Sequence, residues 1–544
     1  MSVARSPGES SAEDTLHRLA RLLETGRRQC ASSPAGELAR FVVSAPDLEP
    51  RAVLRVPAGK VSLLPAGESF LWEPPDGAQL GGLGRAALLS GSGEERLRQV
   101  REAAERVSSR LVVFAEPGIE APPALFVGGG AFRPEGAVRA RWAGFGDASF
   151  VLPRWLVRRA PGEPAALELT LGAAELVAAD LDDLLGEADS LLDSTPFSLG
   201  CGALAPIEAS WEEPAAEEER WYAATRGILD AIRRGDLRKA VAARWLDVRL
   251  PSSELAPARA GADLPANGAL PADGVVERVV DAFERGCSEC VRFVVQRGGH
   301  AFLGATPELL VEQHGLELRT HALAGTERND PEPEEQARRA RSVESGCDLD
   351  GGAAERLLAR DKDRREHQLV VEHIVDRLAP YCAELEAPSE PRVRSLRHLL
   401  HLETPIEGRL SEPRHVLELA AALHPTPAVA GVPVDRSLAL LAALEAGERG
   451  WYAGPVGWFD ERGDGALSVA LRSMLVGRSS ARLFAGAGIV ADSQPQAELE
   501  ETRWKLAGAW TALTAAVGGE LEIERGAARV AAGDDWQAPR PSRD

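Results

Sequence analysis

Four places in the 544-residue sequence carry side chains whose type and spacing suit acid–base or cation chemistry. The first is Lys239, in Leu237-Arg238-Lys239-Ala240-Val241-Ala242-Ala243. Strand alternation puts it on the face of Leu237, Val241 and Ala243. A lysine on an apolar face is desolvated, which lowers its pKa and suits it to act as a base near neutral pH. With the opposite parity it is an ordinary exposed lysine. The second is Glu308, an acidic break between apolar runs directly after Pro307. Apolar neighbours raise a carboxyl pKa and make a general acid of it, whereas the same group at a wet strand end stays ionised.

The third is Glu366 in Lys362-Asp363-Arg364-Arg365-Glu366-His367. It lies one turn before Val370, Ile374 and Leu378 on a helical stripe, either at the helix entrance or aimed into a pocket. The fourth is the segment from Gly486 to Lys505. Ser493 and Gln496 have capping-box spacing with Pro495 in the first turn, which predicts a helix start. Glu498, Glu501 and Lys505 then share one face, apart from the apolar stripe of Leu499, Leu506, Trp510 and Leu513. Two carboxylates on one face suit a hard cation such as Mg²⁺, which takes few protein carboxylates plus substrate and water. A solvated charged helix has the same pattern. Gly486 and Gly488 just upstream would let backbone N–H groups approach an anion.

The elements that must position these groups come in mixed order. A helix fills the first 30 residues, with Leu16, Leu19, Leu22 and Leu23 at helical spacing, before a Ser/Pro/Gly break. Short strand-like runs follow to about residue 175, among them 41–44, 69–72, 111–115, 124–127 and 149–152. Residues 173–195 and 214–234 read as helices, the second ending at Gly235. Residues 252–274 form a Pro/Ala/Gly-rich stretch, read as a surface insertion. Arg297-Gly298-Gly299-His300 and His314-Gly315 mark two hairpins. One long helix is predicted over 353–379 and another over 495–517, with a loose tail from Gly533. This mixture predicts an antiparallel-rich α/β or α+β fold rather than a doubly wound parallel sheet.

Composition narrows the function classes. The net charge of −21 disfavours nucleic acid and anionic lipid as partners. Met1 to Glu13 is polar, with no apolar core of a secretory signal, and no apolar run nears the roughly 18 residues of a membrane span. Six cysteines do not make a disulfide framework, and the single Cys287/Cys290 pair lacks the second pair of a zinc site. The expected location is the cytoplasm.

Together these segments resemble the chorismate-binding enzymes, which include isochorismate, salicylate, anthranilate and aminodeoxychorismate synthases. The likeness runs from about 218 to 512 through LRKAVAAR, FLGATPELL, ALAGT, KDRREH, HLETPIEG, HPTPAVAG, WYAGPVGWFD, SVALRS and GAGIVADSQPQAELEETRWK, in order. Weaker likeness to the menaquinone-pathway isochorismate synthases lies in SFLWEPPDGAQLGGLGRAAL and in ALFVGGGAF with FVLPRWLVRR. The resemblance implies the anthranilate synthase component I-type fold: two antiparallel sheets packed face to face, helices outside, the active site in a cleft. It implies an N-terminal antiparallel α/β half over 1–213, a chorismate-binding catalytic region over 214–517 and a C-terminal segment over 518–544.

By the same resemblance Lys239 is the base that activates water for attack at C2 of chorismate, and Glu308 the acid that protonates the departing C4 hydroxyl. Mg²⁺ is held by Glu366 and Glu498, with Glu501 acting directly or through water. Arg472, Lys505 and the amides around Gly486 and Gly488 hold substrate carboxylates. His401 lies at the ring, and Gly325 and Thr326 lie near the metal-bound carboxylate. Ala324 stands where the aminodeoxychorismate branch commonly has a nucleophilic lysine, and Ala428 where amine-using branches commonly have threonine. Both point to a water nucleophile and to no obligate glutaminase partner. The expected activity is isochorismate synthase, feeding menaquinone synthesis. The alternatives are a salicylate synthase, a siderophore-pathway isochorismate synthase, an ammonia-using synthase subunit and a non-catalytic binding subunit.

Overall fold

The structure is a computed structural model that describes residues 7–31, 37–56, 68–134, 140–142, 144–193, 211, 214–250, 274–329, 351–396, 399–445, 447–518 and 521–523. The 252–274 insertion, apart from Gly274, and the tail from Gly533 lie outside the described residues.

The described strands join in one hydrogen-bonded sheet that branches at the long strand Ala148–Arg159. One edge of that strand pairs along its length with Gln79–Gly91. Its other edge is shared by Leu125–Gly130 and Ala166–Gly172. From the first edge an antiparallel arm runs through Ser69–Glu73, Val291–Arg297, His300–Thr306, Ser473–Val476 and Ser480–Ile489 to Lys239–Arg249. From Leu125–Gly130 a second arm runs through Pro455–Asp460, Gly465–Val469, Leu309–His314 and Glu317–Arg328 to Leu399–Leu410. Among the described strands, the one parallel pair joins Leu38–Ser44 to Leu111–Ala115.

The two arms meet face to face in the largest core. Phe70, Phe293, Phe302 and Phe484 come from the first arm, and Phe126, Val311, Phe459 and Leu467 from the second. Fully buried aromatics each remove 150–250 Å² from water, so this seam supplies a large share of the driving force. Helices close the outer faces. Val275–Gly286 and Pro495–Val517 cover one arm, and the N-terminal helix Pro7–Cys30 covers the Leu38–Ser44 sheet with Ala173–Ala178 and Leu181–Leu192. The expected mixed α/β fold with a large antiparallel sheet is therefore observed. No described helix is long and apolar enough to cross a membrane.

Several elements depart from the sequence reading. The helix predicted over 353–379 is two, Gly351–Ala359 and Asp361–Leu378, because Arg360 takes an extended backbone (ψ 111°) between them. The helix predicted over 173–195 is also two. Asp180 interrupts it and caps the second, its side chain accepting from the N–H of Asp182. The helix at 495 starts where predicted, yet its N-cap is Gln494 and no capping box forms. Ser493 Oγ instead accepts from the N–H of Val490. The buried stripe of Asp361–Leu378 runs through His367, Val370, Ile374 and Leu378, so Glu366 stands beside it rather than on it.

Candidate active site

A cleft of about 790 Å³, its open mouth included, lies where the two arms and two helix starts converge. Its walls carry Glu308, Gly325, Thr326, Glu366, His401, Ala428, Arg472, Gly486, Gly488, Glu501 and Lys505. Two sequence candidates, Lys239 and Glu498, are not on its wall but sit just behind it, 0% and 2% exposed.

Lys239 opens its strand fully buried. Residues 239–242 are buried on both faces, and Leu237 packs with Ala240 and Ala242, so the predicted shared face with Leu237 is not observed. The Lys239 Nζ stands 2.9 Å from Glu366 Oε1 but makes no well-directed hydrogen bond. Burial pushes Glu366 up, and the ammonium groups of Lys239, Lys362 and Lys505 together outweigh it, leaving that carboxyl below its ordinary range. Gly488 makes this contact possible. A Cβ there would lie 2.4 Å from Glu366 Oε1 and 3.0 Å from Lys239 Cε.

Glu308 sits between the strands His300–Thr306 and Leu309–His314, where Pro307 turns the chain and Thr306 Oγ1 accepts from the Glu308 N–H. Burial raises its pKa to about 7, against the opposing pull of Lys239 and Lys505. It is thus protonated for part of the time at neutral pH, as a general acid must be.

A β-bulge at Gly325 shapes the facing wall. The register between Glu317–Arg328 and Leu399–Leu410 slips between Ala324 and Thr326, and Gly325 takes φ +75° with its missing Cβ facing Asp363. Its turned-out carbonyl is 2.9 Å from His401 Nδ1. His401 Nε2 is 3.0 Å from Arg472 Nη2. A guanidinium only donates, so Nε2 must accept and Nδ1 carries the proton toward Gly325. Burial and then Arg472 hold His401 well below its ordinary pKa, in the neutral form.

The remaining carboxylates form a second cluster at the starts of Asp361–Leu378 and Pro495–Val517. Glu498 is raised by burial and by the charge of Glu501. Asp363 is raised to about 6 by burial and by Glu366. Mutual repulsion of this kind marks a place that favours a cation. Ammonium groups meet that demand here: Lys239 at Glu366, Lys362 at Glu498 (2.6 Å) and Lys505 at Glu501 (2.6 Å). Among the described residues no three acidic or imidazole groups are already drawn together as a metal cage. The donor set suits Mg²⁺ once carboxylates turn from their lysines, since Mg²⁺ keeps most of its waters and needs few protein oxygens. Lys505 also donates to the Gly486 carbonyl at 3.0 Å.

Sequence reasoning missed Lys362, Asp363, Arg449 and Tyr452. The first two stand in the quoted Lys362–His367 segment, one turn before Glu366. Arg449 and Tyr452 line the cleft from the segment after helix Val434–Leu444. Arg449 has a helical-type signal, an i,i+4 pairing with Glu445.

A cleft with a raised carboxyl, a buried lysine, a neutral histidine and a cation-seeking carboxylate cluster defines an acid–base enzyme for an anionic small molecule. The family described as chorismate binding enzyme matches residues 26–260 and 269–514, and the chain belongs to it. It is 33% identical over 473 residues to a salicylate biosynthesis isochorismate synthase of Pseudomonas aeruginosa, covering 84% of this chain and 87% of that one. The solved structure of MenF, the menaquinone-specific isochorismate synthase of Escherichia coli, matches with TM-score 0.66 at 26% identity, over 91% of this chain and 100% of that one. Anthranilate synthase component I of Streptococcus pneumoniae shares the fold with TM-score 0.55 at 19% identity, over 80% of this chain and 92% of that one.

Proposed function

We propose that the protein converts chorismate to isochorismate. The observation that carries this reading is Glu308, a buried carboxyl raised to about 7 on the cleft wall and electrostatically coupled to Lys239. In the proposed reaction Lys239 takes a proton from water as its oxygen attacks C2. The ring double bonds shift, and Glu308 gives its proton to the C4 hydroxyl, which leaves as water. One water enters and one departs, so the reaction is an isomerisation. For this Lys239 must act as a neutral amine, which needs Glu366 to turn away from it, because the lysine itself is enclosed.

Glu366, Glu498 and Glu501 are the proposed Mg²⁺ ligands. The metal, when bound, would offset the charge of the substrate's ring carboxylate in an otherwise acidic protein. Arg472 and Lys505 face the same cleft as fixed cations for the substrate carboxylates. His401 would keep Arg472 aimed, and the bulge at Gly325 and Thr326 would shape the carboxylate end. Ala324 and Ala428 line the cleft without an amine or hydroxyl of their own, consistent with water as nucleophile and with no glutaminase partner.

The same acid, base and metal set would also serve a salicylate synthase, in which the isochorismate goes on to lose pyruvate. The Pseudomonas aeruginosa relative is an isochorismate synthase of salicylate biosynthesis, and the Escherichia coli one is menaquinone-specific. We favour the menaquinone route, on the likeness of the N-terminal half. Purified protein incubated with chorismate and Mg²⁺ without ammonia, with products separated by chromatography, tests the reading. Isochorismate in a stable mixture with chorismate, abolished by a chelator, is expected. Salicylate with pyruvate would select the second reading, and turnover only with ammonia would overturn both.

A further inference from the structure

Of the three lysines that cover the acidic cluster, Lys239 and Lys505 have proposed roles in the reaction, and Lys362 has none. Its position is also unfavourable for a cation. It is the second residue of the helix Asp361–Leu378, where the helix dipole disfavours positive charge. It reaches across to the first turn of Pro495–Val517 and sets its ammonium 2.6 Å from Glu498 Oε1, 136 residues away in sequence. Glu366 and Glu501 also attract it.

The three pairs differ in how easily they separate. Lys239 is fully enclosed, so its ammonium has no water to move into. Lys505 is tied to the Gly486 carbonyl as well as to Glu501. The side chain of Lys362 is 30% exposed, while Glu498 beneath it is 2% exposed. A lysine stem of four carbons lets such a head group swing into solvent while the buried carboxylate stays in place.

We propose that Lys362 is an internal counter-cation of the metal site: its ammonium covers Glu498 until a divalent cation takes that carboxylate. The inference rests on the Mg²⁺ reading above. Metal binding is then an exchange in which the Glu498 ion pair breaks and the Lys362 ammonium rehydrates. The resting protein keeps a buried carboxylate neutralised without metal, and its affinity for metal is lowered by the strength of the pair it must break.

Titration calorimetry of the full-length protein with MgCl₂ at fixed ionic strength, without chorismate, tests this. Lys362→Gln is expected to bind Mg²⁺ more tightly than wild type, on the order of three- to tenfold. Lys362→Arg, which keeps the charge, is expected to stay near wild type. In EDTA the thermal midpoint of Lys362→Gln should fall, and Mg²⁺ should raise it by more than it raises the wild type. Equal or weaker Mg²⁺ binding by Lys362→Gln, with wild type still binding, would overturn the exchange and leave the metal site standing. No saturable Mg²⁺ binding by wild type would remove the metal site, and the exchange with it. Lys362→Met provides a second uncharged variant and should match Lys362→Gln.

Discussion

Arg472 donates from Nη2 to Nε2 of His401 across 3.0 Å, and this contact makes His401 a neutral acceptor rather than a second cation. Arg472 itself adopts φ +49°, a left-handed conformation uncommon outside glycine. Lysine cannot reproduce a planar fork that meets His401 on one nitrogen and a carboxylate on others. Arg472→Lys is expected to raise KM for chorismate by roughly ten- to a hundredfold with a smaller loss in kcat. His401→Phe should act in the same direction. The double variant should be little worse than either, since both disturb one unit. Steady-state kinetics of the four proteins checks this, and full additivity would separate the two residues.

The pKa of Glu308 sets two pH dependences. As the acid it must be protonated, so kcat/KM is expected to fall as pH rises through about 7. Glu308→Gln, which has no proton to give, should lose roughly two to four orders of magnitude in kcat. Stability moves the same way. The folded pKa lies above the ordinary 4.5, so the native state holds more protons than the unfolded state between these values. Stability from this group is full below about pH 4.5, falls as pH rises to about 7, and is flat beyond. Glu308→Gln should remove that loss and be more stable than wild type at pH 8 but not at pH 4.5. Urea unfolding in EDTA at the two pH values measures it.

Gly488→Ala is a probe of space rather than of backbone freedom. The new methyl would fall 2.4 Å from Glu366 Oε1, the movable end of a side chain. The fold is therefore expected to survive, with a thermal midpoint in EDTA within a few degrees of wild type, while Glu366 is displaced. Mg²⁺ binding and turnover should both fall by about tenfold or more, by the precision that catalytic positioning demands. Gly431→Ala makes the contrast. There the methyl would meet the backbone carbonyl of Lys239 at 2.3 Å, at φ +142°, and soluble protein should be lost.

The parts of this arrangement legible in the sequence are those set by neighbours in the chain. Pro495 marked its helix start, and Gly298-Gly299 marked its hairpin, each residue acting through its own backbone. The burial of Lys239 was not set by alternation, because residues 239–242 are buried on both faces and Leu237 packs with Ala240 and Ala242. Arg360 and Asp180 show the limit. The residues around them keep a helical pattern, and only tertiary packing tells where the axis must break. Pairing of Ser69–Glu73 with Val291–Arg297 spans more than two hundred residues and leaves no local trace. The same holds for the contact of Lys362 with Glu498, because charge at a helix start reads as solvation until the other helix is beside it.

Arg449 shows how the cleft wall is held together. Its guanidinium is 1% exposed and donates to the carbonyls of Val429 (2.8 Å) and Val241 (2.7 Å), on two adjacent segments also joined by the Val241 N–H to the Ala430 carbonyl. Its Nε lies 3.0 Å from Glu445 Oε2, and the plane rests 4.1 Å from the centre of the Phe132 ring. Glu445 in turn accepts from the N–H of Ala243. Arg449→Met fills similar volume but leaves two carbonyls and a buried carboxylate without their donor. Removing one partner of a buried pair costs about 3–5 kcal/mol, and chemical denaturation should show a loss of that order. Adding Glu445→Gln removes the stranded charge, so the double variant is expected to be more stable than Arg449→Met alone. Because Val429 adjoins Ala428 at the cleft, kcat of the refolded single variant should also fall. A single variant as stable as wild type would mean that packing against Phe132, and not the charge, holds this wall.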